Sequence, residues 1–217
     1  MRTVPWIPGI DKLSKADLHL ACVAADQIGT TVDALLAVMK FESGLNPAAV
    51  NKFSGATGLI QFLRSTAKSL GTTTDALAKM SFAEQLPFVV RYFKWFKGPF
   101  DTVDALYCAV FWPAAIHESD DFVIATSETA AYRQNTAFDV DKDGKITRKE
   151  ICRPVRAILE SAATQARVEV PDQDELTEAE RAQILALVAL SSGDAVADFA
   201  DGSPLPDDDT PPTVPNA

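Results

Sequence analysis

The sequence predicts an all-α, mainly α, fold interrupted by one small irregular or β patch. Three observations carry that expectation. Apolar residues recur at spacings of three and four as far as Leu190. Segment beginnings carry Ser, Thr or Asp, repeatedly with an acid three residues later, and several segment ends carry Gly. The stretch that departs from this rhythm, residues 45–58, is dense in Asn, Pro, Ser and Gly.

Ser14 is placed to cap a helix running to Ile28, with Leu18, Cys22, Val23 and Ile28 apolar and Gly29 as the stop. A second helix follows Thr30 or Thr31. Its Val32, Leu35, Leu36 and Met39 recur at helical spacing and Gly44 ends it, so Glu42 falls on the last turn. Residues 45–58 then read as loop or short irregular strand. Leu59 to Leu70 reads as helix again, Gly71 breaks it, and Thr74 opens a short helix through Met80. Ser81 with Glu84 makes a capping box for Phe82 to Lys97, which Pro87 is expected to kink. GPFD at Gly98 is a turn, and Asp101 caps a helix to about Phe111. Ser127 to Phe138 is a further helix. Thr147 with Glu150 boxes another toward Gln165, which Pro154 should bend or restart, and Thr177 with Glu180 boxes an amphipathic helix to Leu190. Beyond Ser191 the composition turns to Asp, Pro, Ser and Gly, and a disordered acidic tail is expected over 193–217.

The net charge of −10 is unevenly placed. From Glu169 onward there are twelve acids and one base, which leaves eighteen acids and nineteen bases in residues 1–168. The body is therefore about neutral and carries no basic stripe, so nucleic-acid binding is set aside. Cys22, Cys108 and Cys152 are odd in number, far apart in sequence and without metal-ligand spacing, and they read as buried thiols of a cytosolic product. The opening MRTVPWIPGIDKLSK lacks a signal peptide's apolar core, and the late apolar run Ile184 to Leu190 is too short to cross a bilayer. Neither ordinary secretion nor a membrane span is expected.

The chemistry centres on Glu42. A helix C-terminus presents unpaired carbonyls that disfavour an ionised carboxylate, and Phe41, Leu45 and Phe62 would desolvate it. Both effects raise its pKa, which suits a general acid for glycosidic cleavage. An ordinary solvated helix-end Glu is the alternative, and the order of the surrounding motifs decides against it. ESGLNP is followed by GATGLIQF and, about fifty residues on, by ALYCAVFWPA. In these features the sequence resembles the soluble lytic transglycosylase family, with its goose-type, lysozyme-like catalytic fold. The first motif is intact as Glu42, Ser43, Asn46 and Pro47. The second is Gly55, Gly58, Leu59 and Gln61, with Ile60 in place of Met. The third keeps Tyr107 and Ala109 but has Cys108 and Val110 where Asn and Gly are usual.

The resemblance covers about residues 30 to 112 and implies roles. Glu42 would be the catalytic acid and then base. Gln61, Tyr107 and Ser43 would be the substrate-binding positions, Ser43 also holding the helix exit together with Asn46 and Pro47. From Ser43 through Thr74 there is no Asp or Glu. Hydrolytic glycosidases hold a second carboxylate about 5 to 9.5 Å from the first. Its absence from this stretch favours an intramolecular reaction, in which the sugar's own N-acetyl group and 6-hydroxyl complete the chemistry and leave a 1,6-anhydro-muramyl end. The alternatives are a hydrolytic muramidase using a distant Asp101, Asp104 or Glu118, and a non-catalytic virion protein stabilised by calcium.

DVDKDGKITRKE, Asp139 to Glu150, is a second constellation. Asp139, Asp141, Asp143, the Lys145 carbonyl, Thr147 and Glu150 stand at positions 1, 3, 5, 7, 9 and 12 of an EF-hand loop, with Gly144 at the sharp turn and Ile146 in register. One Ca2+ is expected there. With no second loop to pair with, it should act as a structural clip that fixes the helices around Tyr132 and Asn135. The combination also resembles phage and prophage tail-associated cell-wall enzymes, which implies peptidoglycan glycan strands and phage tail or baseplate proteins as partners. Localisation would be in a virion, or in the host cytoplasm with release to the cell wall. Phe93, Trp95, Phe96, Phe100 and Phe111 suit core packing, while Trp112 and Pro113 are candidates for a cleft rim. The expected organisation is a lysozyme-like domain over 1–125, an EF-hand-like extension over 126–168, a C-terminal amphipathic helix region over 169–192 and the tail over 193–217.

Overall fold

A computed structural model describes residues 2–191; the expected tail lies outside the described residues. The fold is mainly helical. Strand β1 (Arg2–Val4) leads into helices α1 (Lys15–Ile28), α2 (Val32–Ser43), α3 (Arg64–Ser69), α4 (Thr74–Leu77), α5 (Phe82–Phe93) and α6 (Val103–Phe111). Strand β2 (Val123–Thr126), helix α7 (Ala130–Gln134), strand β3 (Lys145–Thr147), helix α8 (Arg148–Ala163), strand β4 (Val168–Val170) and helix α9 (Glu178–Ser191) complete the described chain.

Helix α2 is the buried axis. Leu35, Leu36, Ala37, Val38 and Met39 are all fully inaccessible, as expected of a helix apolar on nearly every face. Helices α1, α6 and α8 pack around it, and α9 covers α1 and α5. Ser14 caps α1 as expected, with Asp17 completing a capping box there, the Ser81–Glu84 box forms as expected, and Gly29 and Gly44 end α1 and α2 in the left-handed conformation. β1 pairs antiparallel with β4, Thr3 opposite Glu169, and a continuous apolar core runs from Val4 to Leu187. Packing thus crosses the expected boundaries at 125/126 and 168/169.

Several helices are shorter than the apolar spacing suggests. Residues 59–63 are not helical. Phe62 pairs with Thr57, itself paired with Val50, and Gln61 closes a tight turn at φ 53°. The reason is competition for backbone groups: the Phe62 carbonyl accepts from Thr57 N–H and Phe62 N–H donates to the Thr57 carbonyl, so neither is free for a helical turn, and the buried Gln85 side chain braces this turn through Leu59 N–H. Thr102, and not Asp101, caps α6. The helix expected over Ser127 to Phe138 is confined to α7, capped by Thr129, with a 3-10 turn at Thr136–Phe138. Pro87 and Pro154 both lie inside helices that run through them without restarting.

Candidate active site

Glu42 stands one residue before the end of α2, and the chain turns sharply just after it. Gly44 has φ 65° and Leu45 φ 66°, and their N–H groups return to the Lys40 and Met39 carbonyls. A left-handed leucine costs on the order of 1 kcal/mol and persists only where its surroundings hold it. Leu45 is held by burial, 4% exposed, beside Gly9. Ser43 fastens the same exit. Its hydroxyl lies 3.0 Å from both the Met39 and Leu59 carbonyls and so joins the helix end to the Gly-rich segment. Ser43 therefore serves the architecture, bridging two motifs.

Gln85 is the residue sequence reasoning missed. Fully buried, its Oε1 accepts from Leu59 N–H at 2.8 Å and its Nε2 donates to the Pro47 and Leu77 carbonyls at 2.6 and 2.7 Å. One amide thus ties the ESGLNP exit, the Gly-rich turn and the end of α4 together. Gly58 is the matching feature: its φ is +87°, and a Cβ there would stand 2.5 Å from Gln85 Oε1. The sequence did hold a signal, because Gln85 interrupts the apolar stripe of Phe82, Leu86, Val89 and Phe93 on α5.

Glu42 itself is 8% exposed, and no group among the described residues hydrogen-bonds it. Desolvation pushes its carboxyl up to about 8, with no neighbouring acid or base contributing. Two tyrosines share its surroundings. Tyr92 donates to the Ala109 carbonyl at 2.7 Å, and its ionisation is opposed by burial and by the Glu42 charge. Tyr107 is fully buried between Phe41, edge-on at 5.4 Å, and Phe111, stacked at 5.8 Å. Its hydroxyl has no hydrogen-bond partner among the described residues, and burial followed by the Glu42 charge drives its pKa upward. Gln61, half-buried, donates from Nε2 to the Gly58 carbonyl at 3.0 Å and, more weakly, toward that of Ala49. The structure therefore gathers Glu42, Ser43, Gln61 and Tyr107 around the exit of α2.

Residues 20–85 match the transglycosylase SLT domain family. The SLT match spans most of α1, all of α2, the Gly-rich turn and α5 as far as Gln85. Tyr107 and the 139–150 loop lie beyond it. The match supports a lytic transglycosylase-type, peptidoglycan-cleaving function, with peptidoglycan the substrate it implies. Comparison with curated proteins found no match, and comparison with solved structures found none. No helix among the described residues is long and apolar enough by itself to cross a membrane.

Of the three distant acids, Asp104 is already engaged by arginines. Asp104, on α6, is 8% exposed and is gripped by Arg156 through Nε and Nη2, with Arg148 close by. Arg156 also holds Asp120, and Arg148 donates to the Ala115 carbonyl at 2.9 Å. Asp101 and Glu118 are exposed at the surface. This arginine pair binds α8 to α6 and was another feature that sequence spacing did not reveal. All three cysteines are buried and free, but the fold brings Cys108 and Cys152 to 3.8 Å between sulfurs, on those same two helices.

The loop ahead of α8 brings ligand atoms of Asp139, Asp141 and Asp143 within 4.8 Å of one another. Asp139 Oδ2 accepts from the Tyr132 hydroxyl and Gly144 N–H, while its Oδ1 is buried with no partner among the described residues. That orphan oxygen fits a hard cation. Glu150 does not join the cluster. Its Oε2 accepts from the Thr147 N–H and hydroxyl, and its Oε1 from Val140 N–H. β3, within this loop, pairs antiparallel with β2, so an ordinary strand occupies the edge where a second calcium loop is usual.

Proposed function

We propose that this chain is a peptidoglycan lytic transglycosylase that cleaves the β-1,4 bond between MurNAc and GlcNAc with Glu42 as its single acid and base. The observation that carries the reading is a desolvated carboxyl, with its pKa near 8, unaccompanied by any second acid from Ser43 through Thr74. Protonated at neutral pH, Glu42 gives its proton to the glycosidic oxygen as the bond to the muramyl C1 breaks. The substrate's N-acetyl oxygen stabilises the cationic carbon. Glu42 then removes the proton of the sugar's own 6-hydroxyl, whose oxygen bonds C1. No positioned water is required, because the nucleophile is already tethered. In this reading the Tyr107 hydroxyl, buried and without a partner among the described residues, would donate toward Glu42 while it is ionised, and Gln61 would orient the sugar substituents.

Mass spectrometry of digested peptidoglycan tests the proposal. 1,6-anhydro-muramyl products that vanish with Glu42→Gln are expected. Reducing ends without anhydro products would instead assign the chain to the hydrolytic muramidases, and no lysis by either protein would make it a non-catalytic one.

A calcium ion belongs to the same proposal. Asp139, Asp141 and Asp143 would hold it with the Lys145 carbonyl and Thr147, and Glu150 would join by releasing Val140. The ion supplies charge neutralisation of the clustered acids, clipping α7 and β3 to the start of α8. A tail-associated virion role, with tail or baseplate proteins as neighbours and the cell wall as destination, completes the proposal and rests on the motif combination.

A further inference from the structure

We infer that Phe53 is a stacking platform for a sugar ring of the bound glycan strand, an inference that rests on the glycan-cleaving reading of the Glu42 site. Phe53 is 87% exposed, more than any other large apolar side chain among the described residues. A phenylalanine left in water forgoes the free energy its burial would bring, so its position asks for a cause.

Looseness of the loop is not the cause. Asn51, 6% exposed, accepts at Oδ1 from Phe53 N–H at 2.9 Å and Ser54 N–H at 3.2 Å. Asn51 N–H donates to the Ala56 carbonyl at 2.8 Å, and Gly55 N–H donates back to the Asn51 carbonyl at 2.9 Å. Ser54 Oγ accepts from Ala56 N–H, and Thr57 Oγ1 donates to the Gly55 carbonyl. The backbone on both sides of Phe53 is therefore fixed, and its ring stands in solvent.

The base of this turn is the active-site patch itself. Val50 pairs with Thr57, Thr57 pairs with Phe62, and Leu59 is joined to Ser43 beside Glu42. Val50, 52% exposed, adds apolar surface at the foot of the turn. A pyranose ring presents a face of C–H groups with slight positive character, which complements the negative face of an aromatic ring. Residues 43–74 carry Lys52, Arg64 and Lys68 and no acid, so the segment that bears the ring adds no negative charge against an anionic strand. Ring exposure, a fixed turn and continuity with the cleaving carboxyl together select a sugar as the occupant.

The test uses the full chain and purified peptidoglycan sacculi. Co-sedimentation is measured for Glu42→Gln, which retains strands without turning them over, and for the same protein carrying Phe53→Ala or Phe53→Trp. Phe53→Ala is expected to weaken binding about tenfold, roughly 1.4 kcal/mol, with Phe53→Trp close to the parent and all melting temperatures alike. In the otherwise wild-type enzyme the loss should appear in KM more than in kcat, as for binding shared by ground and transition states. Unchanged sacculus binding and KM for Phe53→Ala, in a protein that still cleaves, would overturn the inference and leave the glycan reading standing. Loss of binding to phospholipid vesicles, or loss of self-association, in place of lost sacculus binding would also overturn it. A parent protein that neither binds nor cleaves sacculi removes the glycan reading and this inference with it.

Discussion

Glu42→Gln isolates the property on which the proposed chemistry depends. The substitution keeps the volume and the hydrogen-bonding shape of the side chain but removes its ionisation. In the folded protein burial raises the Glu42 carboxyl from an ordinary 4.5 to about 8. The folded state therefore holds the proton more tightly than the unfolded chain does. The stability linked to this proton is fully present below pH 4.5, declines as pH rises, and is lost through pH 8. Measured against Glu42→Gln, the wild-type protein should lose about 1 kcal/mol by pH 5, about 3 by pH 7 and about 5 by pH 9.

Urea denaturation of both proteins at those three pH values reads the difference directly. Other titrating groups are common to the two proteins and cancel, and any fixed cost of burying the amide shifts the curves without changing their divergence. Parallel profiles, agreeing within about 0.5 kcal/mol, would refute desolvation of Glu42. Activity supplies the complementary reading, since a general acid must be protonated at the start of the cycle. Cleavage by the wild-type enzyme should fall as pH rises through 8. An alkaline limit near pH 5 would mean that the acting carboxyl is solvated or lies elsewhere.

Three further outcomes follow from the same contacts. Gly58→Ala forces a Cβ against Gln85 at a positive φ and should cost about 2 kcal/mol or more, read as a lowered urea midpoint; a loss below about 0.5 kcal/mol would mean that the turn adjusts freely. Asp104→Asn leaves the Arg148 and Arg156 guanidiniums without their shared carboxylate and, allowing for the partial exposure of Arg156, should destabilise by about 2 kcal/mol; unchanged melting would show that Asp120 suffices. Calcium at a hundredfold excess over its Kd should add about 3 kcal/mol and raise Tm, and Asp139→Ala should abolish the rise; a melting curve indifferent to both calcium and chelator would remove the metal from the proposal.

Much of the fold was legible because the relevant interactions are local. Ser14 caps its helix, Ser81 with Glu84 and Thr177 with Glu180 lie three residues apart and form in place, and Gly29 and Gly44 stop their helices by their own backbone freedom. The same locality made the Glu42 motif and the Asp139–Asp143 spacing readable. What escaped is long-range. The helical reading of Leu59 to Leu70 failed over its first residues, where Phe62 pairs with Thr57 in a turn braced by Gln85, twenty-six positions after Leu59. Arg148 and Arg156 meet Asp104 only because α8 lies across α6, and periodicity carries no information on that crossing. Glu150 fits its loop position by spacing, yet in the structure its carboxylate is turned to Thr147 and Val140.

The dryness of Glu42 is not the work of its own motif. The SLT match ends at Gln85, yet the wall that excludes water from the carboxyl includes α6, with Tyr107 against Phe41. Tyr107 stacks on Phe111, and Phe111 meets Phe138 edge-on at 5.2 Å. Phe138 immediately precedes Asp139, the first residue of the acidic loop, and α8 leaves that loop to grip α6 again through Arg148 and Arg156. Two independent tethers, one aromatic and one ionic, therefore fix the helix behind Glu42 to the acidic loop. Because close-packed side chains transmit displacement and do not absorb it, loosening either tether lets water toward the carboxyl. Water lowers its pKa and removes the proton that the proposed cleavage would need first. The segment following the matched domain is therefore part of what keeps the Glu42 carboxyl dry and its pKa raised.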